Sequence, residues 1–414
     1  MAHCCDTPGL MPIELAMKKI WQTILPLTEQ ETVSLTQLVG RVLAQDICAL
    51  IDVPGYDNSA MDGYALRAED VAQFGTLRQI GKSFAGTPFL GTVTPGQCVR
   101  IMTGACIPTG ADAVVMQENT EAKNDAISVL FPVKVGEAIR RRGEDIRMGE
   151  KVLAKGHKIS PADIGLLASV GVSQANVFRA PKVAIFSTGD ELRQPHETLP
   201  EGCIYDSNRY ALQALLTQAG MQVLDLGVIA DNPNKIRNAF LHGDENADVV
   251  ITSGGVSVGE ADFTREILEE LGQIDFWKLA IKPGKPLAFG RLPNSYFFGL
   301  PGNPVSSMVT FHQIALPALF WLSGKASPIQ RLRLKAKALA PFKKRPGRTD
   351  FQRGTYTQDP QGNLTVKPLT NQGSGVLSSI TKGNCYVVLE NELNQVKEGE
   401  YVTIEVFDEY FRAN

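Results

Sequence analysis

The sequence predicts a multidomain α/β protein: a doubly wound, mostly parallel sheet domain, a helical-linked domain with a small β domain inserted in it, and a C-terminal β-barrel. Three observations carry this prediction. From residue 181, short apolar runs alternate with helical patterns; VAIFS (183–187), VLDLGVI (223–229), DVVIT (248–252) and YFFGL (296–300) are separated by helix-like Arg209–Gly220, Asn234–Gly243 and Phe263–Leu271. Between 51 and 145 the texture is instead short β-like runs, CVRIMTG, DAVVMQE and AISVLFPV, broken by Gly, Pro and Asp. The zone 327–414 alternates again in RLRLKAKAL, LTVKPL, CYVVLE and YVTIEVF, as a small antiparallel barrel or sandwich does.

The helical pieces lie on either side of the inserted zone. MPIELAMKKIWQTI has one apolar face at helical spacing, and Leu35–Gln45 is a second helix candidate. SPADIGLLASVGV restores helical character after residue 146, with Ser160 as N-cap and Pro161 at the first helical position. The expected division is therefore 1–50 with 146–180, 51–145, 181–326 and 327–414. A chain of 414 residues has room for several such cores.

Composition narrows the function. The net charge of −3 supplies no global basic field for nucleic acid or an anionic membrane, so neither is an expected partner. Seven dispersed cysteines without a C-x-x-C pair read as reduced thiols, and five unclustered histidines argue against zinc. Any metal is expected to be a hard cation on oxygen ligands. The N-terminus lacks a basic-then-apolar signal, and no apolar run is read as reaching the roughly 18 residues of a membrane span. A cytoplasmic location is the expectation.

Chemistry is expected at the carboxyl ends of the parallel strands, where open sheets bind ligands. Those ends lead to Thr188–Glu191, Asp231, Ser253–Asp262 and Pro301–Ser306. Glycines there let backbone amides approach an anion, and the following helix N-termini add favourable partial charge. KLAIKPGKP reads as a solvated lysine-rich turn or as a set, Lys278, Lys282 and Lys285, that counters phosphates or an oxyanion, and Lys278 and Lys282 share a face if Phe276–Ile281 is extended. RRRGED (140–145) reads as a solvated charge run or an anion clamp, and DNSAMDGYA (57–65) as turn chemistry or a metal site. GTLRQIGKS has five residues between its glycines, one too many for a P-loop, and no G-x-G-x-x-G opens a helix. No G-x-S-x-G elbow appears either. Carboxylates, lysines and glycine loops together indicate magnesium-assisted phosphate-ester or anhydride chemistry, with attack by water or an oxyanion.

The set DNSAMDGYA, MTGA, RRRGED, FSTGDEL, DNP, SGGVSVGEAD, KLAIKPGKP and GLPGNPVS resembles the MoeA family, the molybdopterin molybdotransferases, and is similar to the E domain of gephyrin. The resemblance covers essentially the whole chain. It implies a MogA-like 181–326 domain, and insertion of molybdate into adenylylated molybdopterin with Mg2+, releasing AMP and molybdenum cofactor. It also implies a homodimer whose site is shared between subunits, with a MogA-like adenylyltransferase and cofactor-acceptor proteins as further partners. Matched position by position, Asp62, Thr103, Glu191, Asp231, Asp262, Lys278 and Lys282 correspond to residues important for activity. Arg140, Asp145, Pro301, Pro304 and Ser374 correspond to others of the active-site region. On this reading Ser253, Gly254, Gly255, Ser257, Lys285, Gly302 and Asn303 hold substrate phosphate, while Glu191, Asp231 and Asp262 hold magnesium. Two other readings stay open: a MogA-like adenylyltransferase that uses ATP, and a non-catalytic scaffold.

Overall fold

The computed structural model describes residues 9–255, 263–326, 331–408 and 410–411. Its central sheet runs in the order Gln222–Ile229, Lys182–Thr188, Val249–Ser253, Tyr296–Leu300, Pro286–Arg291 and Gln273–Lys278. The first four strands are parallel and the last two join by antiparallel pairings, so only Pro286–Arg291 runs against the common direction and the sheet is mixed with a parallel majority. Successive side chains serve opposite faces. Val183 and Ile185 pack with Leu212, Leu215 and Leu216 of helix Asn208–Gln218. Ala184 and Phe186 pack on the other side, with Ile236 and Phe240 of helix Pro233–Asn246 and Leu268 of Phe263–Leu271. Both faces are covered, which is why these strands read as unbroken apolar runs.

A helical run from Pro304 to Leu322 crosses the first of these cores, with a π-helical turn at Phe311–Ala315. It is 19 residues long with a mean hydropathy of 1.3, enough by length and composition to span a membrane, so the sequence reading overlooked it. Burial of 89% of that window within the protein accounts for its apolarity. The N-terminal helix Ile13–Thr23 adds Ala16, Met17 and Ile20 to the same core.

The segments flanking the inserted zone close on each other. Strand Gln30–Ser34 pairs antiparallel with Gln174–Phe178, Gln30 opposite Phe178. Val33, Leu38 and Ile47 share a core with Leu153, Leu167 and Val177. Helix Pro161–Ser169 starts at Ser160, whose hydroxyl accepts from the Asp163 amide while the Asp163 carboxylate accepts from the Ser160 amide. The expected helix Leu35–Gln45 is not formed. Only Leu35–Gln37 turns, Gly40 takes a left-handed φ of +80°, and Val42 and Leu43 bridge to Lys158 and Val177. Long-range pairing overrides local helical spacing here.

The inserted zone is a six-stranded sheet ordered Ala113–Met116, Gly63–Leu66, Gln97–Ile101, Thr76–Ser83, Ala126–Val129 and Thr120–Lys123. The P-loop look-alike is an interior strand of this sheet, Thr76–Ser83, paired with Gln97–Ile101 on one side and Ala126–Val129 on the other, rather than a phosphate loop. At the C-terminus Thr349–Gln358, Leu364–Pro368, Arg333–Ala338, Tyr401–Val406 and Cys385–Leu389 form a barrel, closed by pairing of the last with the first.

A buried polar cluster joins barrel and α/β domain. His312, fully buried in the π-helical turn, sits with Nε2 3.0 Å from both Asp408 carboxylate oxygens. Arg331 donates to the His312 carbonyl, and buried Glu405 accepts from Gln313 at 2.5 Å and from Arg333 at 3.1 Å. Burial, with the Arg331 charge, holds the His312 imidazole below its ordinary value against the pull of Asp408 and Glu405. The unfolded chain therefore takes up a proton near pH 6.5 that the folded chain resists, so stability is full above that pH and falls as pH drops below it. Calorimetric melting from pH 8 to 5.5 should show this loss, and His312→Gln should flatten it while costing about 1–3 kcal/mol at pH 8.

Candidate active site

The carboxyl ends of the parallel strands open a crevice of about 390 Å3, lined among others by Thr188, Glu191, Asp206, Asn208, Ser253, Gly254, Gly302, Asn303 and Pro304. The sequence-predicted loops after three strands thus do converge. Ser253 ends its strand, and Gly254 and Gly255 follow with φ of +99° and +65°. A Cβ on Gly255 would lie 2.5 Å from the Thr264 hydroxyl, so only glycine fits that path. Ser257 and Asp262 lie outside the described residues.

Asn208, which sequence reading missed, ties two loops together. Its Nδ2 donates to Ser253 Oγ and to the Gly302 carbonyl, each at 2.6 Å. The only signal in the sequence is an Asn at the start of a helix that follows a polar segment, which also describes ordinary capping. Beside it, Asp206 accepts from Ser187 Oγ at 3.2 Å and from Arg209 Nε at 3.0 Å, both partners being buried. Pro301 to Pro304 turn the chain into the helix Pro304–Thr310. The first free amide of that helix, on Val305, donates to the carbonyl of Ser374 at 2.9 Å, so a barrel loop docks at the crevice entrance. Arg353, 1% exposed, fixes that loop through Ser379 Oγ at 3.0 Å and the Gly373 carbonyl at 3.3 Å.

Glu191 lines the crevice, and Asp231 lies beside it. Asp190 and Asp231 are reciprocally bonded, the Asp231 amide to Asp190 Oδ1 at 3.1 Å and the Asp190 amide to Asp231 Oδ2 at 3.4 Å. Partial burial and the Asp190 and Glu191 charges push the Asp231 carboxyl above the ordinary range. Among the described residues no three His, Cys, Asp or Glu side chains are arranged to hold a metal ion. Glu191 and Asp231 are two of the three predicted ligands, and the third is Asp262. The donors present are hard oxygens that form no ion pair among the described residues, which fits a magnesium ion that takes one or two carboxylates and completes its shell with phosphate and water.

Lys278 and Lys282 do not share one face of a single strand. Strand Gln273–Lys278 ends at Lys278, the chain bends, and Ile281–Lys282 pairs instead with Thr349–Asp350 of the barrel. Lys282 lines a second cavity of about 430 Å3 with Lys343, Lys344, Arg345, Arg348 and Asp350. Lys278 and Lys285 are exposed on either side of the bend.

The remaining predicted residues lie in the inserted sheet domain. The Thr103 amide and hydroxyl both donate to Asp62 Oδ1 at 2.8 Å, which lowers the Asp62 pKa. Asp57 accepts from the Arg142 amide and the Arg141 guanidinium, and Asp52 from Arg142 Nε, so two arginines of RRRGED brace the fold. Arg140 remains exposed and makes no ion pair to a described residue; the Asp145 amide donates to the Val53 carbonyl. These hydrogen bonds stay within residues 52–148, and none of Asp62, Thr103, Arg140 and Asp145 lines the crevice of the same chain.

Comparison with known proteins settles the family. Residues 11–171 match the MoeA N-terminal region (domain I and II), 184–321 a probable molybdopterin binding domain, and 335–407 the MoeA C-terminal region (domain IV). The chain belongs to the MoeA family. Over 400 residues, 96% of this chain and 99% of the relative, it is 45% identical to a molybdopterin molybdenumtransferase of Haemophilus influenzae. It is 39% identical to one of Nostoc over 75% of this chain and 73% of that protein. It is 32% identical to gephyrin of Dictyostelium discoideum over 95% of this chain and 62% of that protein. Among solved structures, a MoeA protein of Pyrococcus horikoshii superposes with a TM-score of 0.84 at 31% identity, covering 96% of this chain and all of that one. The barrel and mixed sheet are thus the MoeA architecture.

Asn208→Ala should release both loops of the crevice. Apparent affinity for the pterin substrate should fall about tenfold, measured by isothermal titration, while the melting temperature moves by only a few degrees.

Proposed function

We propose that this protein is a molybdopterin molybdenumtransferase of molybdenum cofactor biosynthesis, inserting molybdate into adenylylated molybdopterin with release of AMP. One observation carries the reading: a single helix joins two anion-suited cavities. Its start, Pro304, lines the strand-end crevice. Its body supports the lysine turn, since a Cβ on Gly284 would meet Thr310 Oγ1 at 2.4 Å and the Ser306 carbonyl at 3.5 Å. A pterin phosphate in the crevice and an oxyanion at Lys282 are therefore held by one rigid element, the geometry that bringing two reactants together requires.

On this reading the glycine backbone after Ser253, beside the helix that opens at Pro304, binds the pterin phosphate and adenylyl group. Asn208 keeps those loops at a fixed separation. Lys282, with Lys278 and Lys285 near it, draws in molybdate as substrate. Glu191 and Asp231, with Asp262, hold magnesium, which when bound offsets charge on the phosphate oxygens during cleavage. Asp62, Thr103, Arg140 and Asp145 complete the site from the second subunit of a homodimer, consistent with their separation from the crevice within one chain. The protein works in the cytoplasm, after a MogA-like adenylyltransferase and before the cofactor-acceptor proteins.

Purified protein given adenylylated molybdopterin, molybdate and Mg2+ should release AMP in a molybdate-dependent manner. AMP release indifferent to molybdate would sink the reading, and adenylylation of molybdopterin from ATP would make the protein the preceding enzyme instead. Asp62→Ala and Asp262→Ala should each cut activity about 100-fold. Mixed heterodimers of the two should recover about half the wild-type rate, because one of their two shared sites is intact. Heterodimers without recovery would place each site in a single chain.

A further inference from the structure

The cavity at Lys282 holds one carboxylate among five cations: Lys282, Lys343, Lys344, Arg345 and Arg348 surround Asp350. Asp350 is 3% exposed, and its Oδ2 accepts from Lys282 Nζ at 3.2 Å and from Gln352 Nε2 at 3.1 Å. The pairing is built into the backbone. Lys282 and Asp350 are direct partners in the parallel bridge between the α/β domain and the barrel, and the adjacent Thr349 amide donates to the Ala280 carbonyl at 2.8 Å. The Lys282 side chain itself stays 48% exposed toward the cavity. An ion pair with so open a cation adds little to stability. Its effect on an anion entering the cavity is larger, since the carboxylate both occupies Lys282 and lowers the positive charge the anion meets.

We propose that Asp350 is a positioning residue of the oxyanion pocket. It aims Lys282 and holds down the field, so that molybdate is bound in register for transfer and not so tightly that it stays. The C-terminal barrel domain then supplies all of the oxyanion site's lining but Lys282, including Lys343, Arg345, Arg348 and Asp350. This inference rests on the reading above that molybdate enters at Lys282.

The test uses the full chain, titrated with sodium molybdate alone by calorimetry and assayed separately for molybdate-dependent AMP release. Asp350→Asn should bind molybdate about tenfold more tightly at low ionic strength, with the gain shrinking at high salt, and should turn over about tenfold more slowly. Asp350→Glu keeps the charge but displaces it, so molybdate affinity should stay within about twofold of wild type while turnover falls. Equal or weaker binding by Asp350→Asn, or equal shifts in affinity for the Asn and Glu variants, overturns the proposal. Asp350→Ser serves as the neutral variant if the Asn protein melts below the assay temperature. Lys282→Gln separates the two levels: unchanged molybdate binding removes the site reading itself, whereas weakened binding without tightening in Asp350→Asn removes the role of Asp350 alone.

Discussion

Four parallel strands locked in one direction set the position of everything that reacts. Val183 lies opposite both Val223 and Val249, and Val249 opposite Tyr296, so the four chains reach the same edge together. With helices on both faces, the polar ends of these strands have one place to emerge. Thr188, Ser253 and Gly302 meet there because the apolar residues before them are pinned from both sides. At the mixed edge Pro286–Arg291 runs the other way, and Gln273–Lys278 turns back to the common direction and hands the chain at Lys278 toward the barrel.

The barrel is therefore more than an appendage. It takes over Ile281–Lys282 as an added strand, docks Ser374 on the helix that opens at Pro304, and buries Arg353 to hold the docking loop. A second contact, around His312, Asp408 and Glu405, lies in the middle of the same helical run. Two separate polar clusters thus fix the orientation of the barrel against the sheet. Each group in them is costly to bury alone, which makes a slightly different docking angle unfavourable.

Most of the fold was legible in the sequence where one physical rule acted alone. The doubly buried strands and the Ser160 cap before Pro161 are of that kind, and the strand-end loops followed from them. Leu35–Gln45 was misread because its apolar spacing suits a helix while Val42 and Leu43 are claimed by distant strands. Lys278 and Lys282 were placed on one face because the change of sheet between them depends on a partner 68 residues away, Asp350. Arg141 and Arg142 looked available to an anion, although Asp57 and Asp52 hold them. Asn208 carries a signal no different from an ordinary helix cap, and Asp350 and Arg353 carry none, since each acts by joining segments that only the folded chain brings together.

The discontinuous domain also bears on how the chain is made. Strand Gln30–Ser34 finds its partner only when Phe178 has been synthesised, and the segment after the first helix waits longer, with the Leu27 amide bonded to the Leu322 carbonyl. At ribosomal rates of about 5–20 residues per second, that helix spends roughly 15–60 s without its final neighbours. The inserted sheet, whose strands pair only among themselves, can complete its own structure during that interval. Helix Ile13–Thr23, synthesised before every neighbour in its core, is thus among the last elements to be seated.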